Sequence, residues 1–149
     1  MLWNKRLLIP LLLLVQGFAY AEWGEGWDPV DPPVATSVPE GKVEVVEFFW
    51  YGCPHCFHME PELKKWLDRK PDQVIFKRVP SPLNPSWTVH AQFYYAAEAI
   101  GATEQLHEPL FEAIHVQKRK IYDKQSLIDF AVDQGVDRQK LTDAWNSFG

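Results

Sequence analysis

The feature that most constrains the fold of this chain is the stretch of residues 43–56. It begins as a β-prone apolar run, residues 43–51, that is dense in Val and aromatic side chains. The run ends at Gly52 and is followed by Cys53 and Cys56, three positions apart. This order predicts a strand, a tight turn and a helix whose first turn carries a redox-active pair of thiols.

A secretory signal is predicted at the N-terminus. Two basic residues precede the apolar block of residues 7–15, and Ala19-Tyr20-Ala21 supplies the small residues of a cleavage site. The apolar block is too short to cross a bilayer core about 30 Å thick, which takes about 20 residues. We therefore expect residues 1–21 to be removed and the mature protein to be exported and soluble.

The charge balance argues against nucleic acid as a partner. Without residues 1–21, the chain keeps 13 basic and 20 acidic residues, a net charge of −7. This is the wrong sign for attraction to phosphate backbones. The length that remains suits a single domain with a substantial core.

The chain after the signal begins with an arm and a βαβ unit. Residues 22–42, rich in Trp, Pro, Gly and acidic residues, predict an arm with at most an edge strand at residues 34–38. Residues 43–80 predict a right-handed βαβ unit whose helix contains Pro61 and whose second strand spans residues 74–79. The helix is expected to run from Cys56 to about Arg69. Its buried face is expected to consist of Phe57, Leu63, Trp66 and Leu67.

Residues 81–149 predict helices. Gly101 is placed to end the first of them, Asp123 and Gly135 to start and end the third, and Asp137 to cap the start of the fourth. The apolar side chains recur at helical spacing and are expected to form ordinary core. They include Val89, Phe93, Ala96, Ala97, Ile100, Leu106, Leu110, Ala113, Ile114, Leu127, Ile128, Ala131, Leu141, Ala144, Trp145 and Phe148.

The two cysteines are predicted to have different roles. Cys53 lies where the strand gives way to the helix, so its sulfur faces unpaired backbone N–H groups and the positive end of the helix dipole. Cys56 lies one turn further in, so we assign Cys53 as the nucleophile and Cys56 as the resolving thiol. Pro54 suits the first helical turn, and His55 places a cation or an N–H beside the sulfur. Both favour a depressed pKa of Cys53 and an oxidising disulfide.

Other uses of two cysteines fit the sequence less well. A purely structural disulfide across so short a loop would stabilise the fold by only about 2 kcal/mol. A structural zinc site lacks further cysteines, and His55 and His58 are too close along one turn to complete a tetrahedron. Covalent haem attachment needs a histidine where this chain has Phe57. We therefore expect neither a metal nor another cofactor.

Glu47 is the acidic residue of greatest interest. It lies six positions before Cys53, inside a strand apolar enough to be buried. Burial raises the pKa of a carboxyl group towards neutrality, which would allow Glu47 to shuttle the proton of Cys56. The alternative is that Glu47 points into a solvated gap as an ordinary surface acid.

The remaining aromatic and histidine side chains carry weaker signals. Trp50, Tyr51 and Trp87 either line an apolar platform for peptide substrates or pack in the core. The histidines of the helical segment are expected to be caps or partly buried polar groups rather than ligands. These are His90, His107 and His115.

The motif Cys53-Pro54-His55-Cys56, six residues after Glu47, resembles the active site of the DsbA family, the thioredoxin-fold thiol:disulfide oxidases of the bacterial periplasm. The resemblance extends into the helical insertion of that family. It implies an α/β, thioredoxin-like fold with an inserted α-helical domain. The segments that carry it there are residues 84–87, 94–101, 113–115 and 145–148.

The resemblance also implies an activity and partners. Cys53 and Cys56 would cycle between disulfide and dithiol, oxidising reduced or unfolded exported proteins, and a quinone-linked membrane oxidase of the DsbB type would reoxidise them. The protein would be a periplasmic monomer. A disulfide isomerase or reductase is the nearest rival, and a non-catalytic thioredoxin-fold binding module is a rival of another class.

The chain departs from the family pattern at its end. The family continues beyond the helical insertion into strands entered through a cis-proline loop that faces the dithiol, whereas this sequence stops at Gly149. The C-terminal part of the sheet is therefore expected to be missing. We expect residues 22–149 alone to fold poorly and to be weakly active.

Overall fold

The computed structural model describes residues 27–147. The predicted signal sequence and Phe148 lie outside this part of the chain. None of the helices in the described part is long and apolar enough to cross a membrane. The elements are β1 (Val43–Phe49), α1 (Pro54–Leu67), β2 (Val74–Pro80), α2 (Pro85–Ala99), α3 (Thr103–His115), α4 (Lys124–Asp133) and α5 (Arg138–Ser147).

The chain divides into two compact units, Met1–Ala35 and Thr36–Gly149. The described part of the first, residues 27–35, is exposed and non-helical, with a bend at Asp31 and Pro32. The edge strand predicted at residues 34–38 is wrong, because no strand forms there. Prolines before and after this segment lack backbone N–H groups and leave it few donors for a ladder.

The βαβ prediction is confirmed. β1 and β2 pair in parallel, from Val43 opposite Val74 to Phe49 opposite Pro80. α1 connects them, contains Pro61 and ends two residues before the predicted limit, where the N–H of Asp68 caps it by donating to the carbonyl of Lys64 at 3.1 Å. Among residues 27–147 the sheet consists of these two strands.

α1 buries less than predicted. None of its residues is fully buried. The side chains expected to form a buried face are only half-buried, since the helix packs on its neighbours with one edge and leaves the rest to solvent. These side chains are Phe57, Leu63, Trp66 and Leu67.

The predicted starts and ends of the later helices are confirmed. Gly101 and Gly135 adopt φ of 71° and 86°, a left-handed backbone that favours glycine and ends α2 and α4. Asp123 caps α4 in a capping box with Ser126. Asp137 accepts a hydrogen bond from the N–H of Lys140 at 2.8 Å at the start of α5.

The hydrophobic core lies mainly among α2, α3, α4 and α5. The βαβ unit contributes Phe49 from the end of β1 and Tyr51 from the loop that follows, each 1% exposed. Most side chains predicted to be core are buried. The helices contribute Ala91, Phe93, Tyr94, Ala96, Ala97, Leu106, Leu110, Phe111, Ala113, Ile114, Leu127, Ile128, Phe130, Ala131, Leu141 and Trp145.

Candidate active site

Cys53 is the N-cap residue of α1. Its backbone is extended, with φ −85° and ψ 116°, and Pro54 begins the helix directly after it. The Sγ atom of Cys53 accepts a hydrogen bond from the backbone N–H of Cys56 at 3.5 Å. Burial opposes ionisation of Cys53, but hydrogen bonds from the Cys56 backbone and thiol and from the His55 backbone outweigh it, so its pKa is lowered.

Cys56 has the opposite environment. Burial, which outweighs a backbone hydrogen bond with Trp50, raises the pKa of its thiol to about 11, and the hydrogen bond and charge of Cys53 act in the same direction. Both cysteines are free thiols and half-buried. One turn of helix therefore holds an acidic thiol at its tip and a weakly acidic thiol behind it.

His55 and Pro54 contribute differently from one another. Both side chains are exposed, and Pro54 occupies the first helical position. The contribution of His55 to the Cys53 thiolate comes from its backbone N–H. A cationic imidazole beside the sulfur, one of the two options in the sequence-based prediction, is not needed for the lowered pKa.

The loop before Cys53 requires a residue without a side chain at position 52. A Cβ atom on Gly52 would lie 2.3 Å from the indole ring of Trp50. Trp50 stacks on Trp87, with ring centroids 4.4 Å apart and an interplanar angle of 14°. Both indoles are half-buried, and the backbone carbonyl of Trp50 accepts a hydrogen bond from the N–H of Cys53 at 2.9 Å.

Glu47 is buried, as its position in the strand predicted, and it belongs to a network of charged side chains. It is 7% exposed, and its Oε2 accepts a hydrogen bond from Nε of Arg78 at 3.0 Å. Burial and the charge of Glu60 outweigh Arg78 and raise the pKa of Glu47 to about 7. The alternative of a solvated surface acid is therefore wrong.

Glu60 and Arg78 complete the network and were missed by sequence reasoning. Nη2 of Arg78 donates to Oε2 of Glu60 at 3.0 Å. The pKa of Glu60 is lowered, because its hydrogen bonds with His107 and Arg78, together with the charge of Arg78, outweigh its burial. Glu60 thus carries the negative charge, and Glu47 keeps a proton up to neutral pH. Glu47 and Arg78 lie opposite each other in the register of β1 and β2. A prediction of that register from the sequence would have found this ion pair.

Tyr51 packs in the core, which is the second of the two alternatives that the sequence left open for this side chain. Its hydroxyl lies 3.0 Å from Nδ1 of His107, and its backbone carbonyl accepts a hydrogen bond from Nε2 of His115 at 2.7 Å. His90, also buried, donates from Nε2 to the carbonyl of Ile121 at 2.7 Å. The three histidines therefore act as polar groups with protein partners. Within the described residues, no group of three His, Cys, Asp or Glu side chains is placed to hold a metal ion.

These features define the class of protein. A strand, a tight turn and a helix that carries two thiols of opposite acidity, with a buried carboxyl group in the strand, make a thiol–disulfide exchange site. No protein-family model matches the chain. Comparisons with individual proteins identify the family instead.

The chain is 41% identical to the thiol:disulfide interchange protein DsbA of Burkholderia cepacia over 97% of its own length and 72% of that protein. It is 39% identical to DsbA of Pseudomonas aeruginosa over 84% of its length and 59% of that protein. The crystal structure of Pseudomonas aeruginosa DsbA superposes with a TM-score of 0.73 at 40% identity, over 80% of this chain and 62% of that one.

The chain belongs to the DsbA family of thiol:disulfide interchange proteins. This confirms the predicted fold class, a thioredoxin-like α/β fold with inserted helices, and the predicted class of activity, a thiol–disulfide oxidoreductase. The chain spans about three fifths to three quarters of the relatives that it matches.

Proposed function

We propose that the chain is an oxidase of exported proteins that passes its Cys53–Cys56 disulfide to pairs of substrate thiols. The observation that carries the proposal is the difference in acidity between the two sulfurs of one helical turn. The pKa of Cys53 is lowered, and the pKa of Cys56 is raised to about 11. Stabilising the Cys53 thiolate stabilises the reduced form, which makes the disulfide a stronger oxidant.

The reaction proceeds in two exchanges. A substrate thiolate attacks Sγ of Cys53, the Cys53–Cys56 bond breaks, and Cys56 leaves with the electron pair and takes up a proton. A second substrate thiolate then attacks the substrate sulfur of the mixed disulfide. Cys53 leaves as a thiolate, and its low pKa makes it a good leaving group. Two electrons have then moved from the substrate to the two cysteines. Of the two protons that the substrate thiols release, one replaces the proton taken up by Cys56 and the other stays in solution, because Cys53 remains a thiolate.

Glu47 is proposed to supply and accept the proton of Cys56. A thiol with a pKa near 11 is a poor leaving group unless it is protonated as it departs, and the charge of Glu47 acts on Cys56. A pKa of about 7 leaves Glu47 both protonated and ionised forms at neutral pH. We expect Glu47→Gln to slow release of the mixed disulfide by about tenfold without moving the Cys53 pKa. Unchanged exchange rates would remove Glu47 from the mechanism.

Pro54 and His55 are proposed to set how oxidising the couple is. Pro54 fixes the first helical turn and adds no N–H that needs a partner. His55 contributes its backbone N–H to the Cys53 thiolate. Replacing both residues should leave the attack chemistry intact and change the reduction potential.

The partners follow from the chemistry of the site and from the family. Reduced or unfolded exported proteins are the proposed substrates, and a quinone-linked membrane oxidase of the DsbB type is proposed to regenerate the disulfide. We place this cycle in the periplasm, with the protein as a soluble monomer. The net negative charge of the sequence agrees with protein rather than nucleic acid as the substrate.

Separate serine variants of the two cysteines test the proposal. With an excess of a peptide disulfide as the oxidised partner, reduced Cys56→Ser should accumulate a mixed disulfide, because the Cys53 thiolate attacks the peptide disulfide and no second thiol of the protein can release the peptide. Reduced Cys53→Ser should form none, because the acidic attacking thiol is gone. Mass spectrometry after acid quenching distinguishes the two species. The reverse pattern, or equal trapping by both variants, would contradict the assigned roles.

A further inference from the structure

We propose that α3 is a positioning element for the dithiol, because two of its histidines hold Tyr51 by its carbonyl and its hydroxyl. The proposal rests on the function assigned to Cys53 and adds residues from the inserted helices to it. The loop between β1 and α1 connects the two, because the buried ring of Tyr51 lies only two residues before Cys53.

The backbone of this loop contacts both cysteines. The N–H of Cys53 donates to the carbonyl of Trp50 at 2.9 Å, which closes a tight turn around Tyr51 and Gly52. Trp50 also makes a backbone hydrogen bond that lowers the pKa of Cys56. The geometry of this turn therefore decides where Sγ of Cys53 lies relative to the N–H groups at the start of α1.

His115 forms a hydrogen bond with the backbone of this turn. Its Nε2 donates to the Tyr51 carbonyl at 2.7 Å, since a carbonyl can only accept. Its ring also stacks on Phe57, with centroids 5.0 Å apart and an interplanar angle of 11°. Phe57 directly follows Cys56, so one imidazole contacts the chain on both sides of the two cysteines.

His107 contacts the side chain of the same residue, Tyr51. Nε2 lies 3.2 Å from Oε1 of Glu60, a carboxylate that accepts, so Nε2 carries the proton. Nδ1 then accepts from the Tyr51 hydroxyl at 3.0 Å. The pKa of Tyr51 is raised, first of all by burial, which keeps this hydroxyl protonated as a donor.

The two histidines lie on one face of α3, with Phe111 between them. Positions 107, 111 and 115 are four residues apart, the spacing that aligns side chains along a helix. Phe111 packs on the Tyr51 ring at 5.0 Å without a hydrogen bond. It therefore provides a packing control for the polar contacts on either side of it.

The test compares three variants of the full chain. His115→Leu removes the donor to the Tyr51 carbonyl, His115→Gln keeps an N–H at a similar reach, and Phe111→Leu removes ring packing only. The pH midpoint of the Cys53 thiolate, read from its ultraviolet absorbance, and the equilibrium with glutathione are measured for each, with thermal melts to verify folding.

We expect His115→Leu to raise the thiolate midpoint by about half a unit to one unit. It should make the disulfide about three- to tenfold less oxidising, which corresponds to roughly 15–30 mV. His115→Gln should recover most of both values, and Phe111→Leu should lower the melting temperature while leaving both values near those of the parent chain.

Two results would overturn the proposal. One is that His115→Leu and His115→Gln behave alike, and the other is that Phe111→Leu shifts the midpoint as far as His115→Leu does. The parent chain separates this failure from failure of the proposed function. An ordinary pKa of Cys53 in the parent chain would contradict the proposed oxidase function. A depressed pKa of Cys53 that His115→Leu leaves unchanged would contradict only the proposed role of α3.

Discussion

The βαβ unit and the helical segment differ in how much of their apolar surface they bury. In the described chain, α1 has no fully buried residue, and Phe48 of β1 is 69% exposed. α2 and α3, by contrast, each contribute six buried side chains to the core. The chemistry lies in the first region and most of the hydrophobic stabilisation in the second. Phe49 and Tyr51 belong to the first region but pack in the core that the helices form. These two side chains therefore connect the dithiol to the stable part of the fold.

The largest expected effect tests this asymmetry with one matched pair of phenylalanines. Phe93 of α2 is 0% exposed and packs on Phe130 and Trp145. Phe93→Ala should cost about 3–5 kcal/mol of unfolding free energy. Phe48→Ala should change it by less than about 0.5 kcal/mol. Urea unfolding checks both, and equal losses would mean that the βαβ unit contributes as much core as the helices.

The next effect concerns pH and the buried acid of the βαβ unit. Because the pKa of Glu47 is raised to about 7 in the folded state, the folded protein binds this proton more tightly than the unfolded chain does. The resulting stabilisation is complete below pH about 4.5 and is lost as the pH rises through 7. Raising the pH from 5 to 8 should therefore destabilise the parent chain, by up to about 3 kcal/mol, relative to Glu47→Gln.

Unfolding curves of the two proteins at pH 5 and pH 8 measure this difference. The comparison with Glu47→Gln removes the titration of all other groups, which the two proteins share. A stability difference that does not change between the two pH values would show that Glu47 titrates normally and that the charge network does not raise its pKa.

A smaller effect is expected at the junction of the two regions. Tyr51→Phe keeps the buried ring and removes the hydroxyl that donates to His107. Leaving a buried imidazole nitrogen without a partner should cost about 1–2 kcal/mol. Tyr95→Phe is the matched control, because Tyr95 is 36% exposed. Calorimetric melts compare the two variants, and equal melting temperatures would mean that the hydroxyl contact does not join the regions.

The smallest effect lies within the helical segment. Asp123 caps α4 through a capping box, so Asp123→Ala should cost about 1 kcal/mol. Asp133→Ala, which removes an exposed ion pair to Arg119, should cost less than about 0.5 kcal/mol. Chemical unfolding resolves this difference, and a larger loss at Asp133 would reverse the expected order.

The helical segment was the more predictable of the two regions. Its helix ends are encoded by neighbouring residues, as at Gly101 and Asp123, and its core follows from apolar periodicity. The site was predictable as far as it is local. The positions of Cys53 and Cys56 around the start of α1 and the burial of Glu47 all follow from one continuous stretch.

What could not be predicted depends on contacts between distant segments. Arg78 meets Glu47 only through the register of two parallel strands, and His107 and His115 reach Tyr51 across more than fifty residues of sequence. The edge strand failed for a related reason. A strand needs a partner with free backbone groups, and the sequence of residues 34–38 does not show whether such a partner is within reach.

The reduction potential of the Cys53–Cys56 couple is the measurement that tests the account most directly. Equilibration of the chain with defined ratios of reduced and oxidised glutathione gives this value. DsbA itself lies near −120 mV and thioredoxin near about −270 mV, and these are known values of those proteins rather than results for this chain. We predict a potential close to that of DsbA, because the structure stabilises the Cys53 thiolate. A potential at or below that of thioredoxin would contradict an oxidase and favour a reductase.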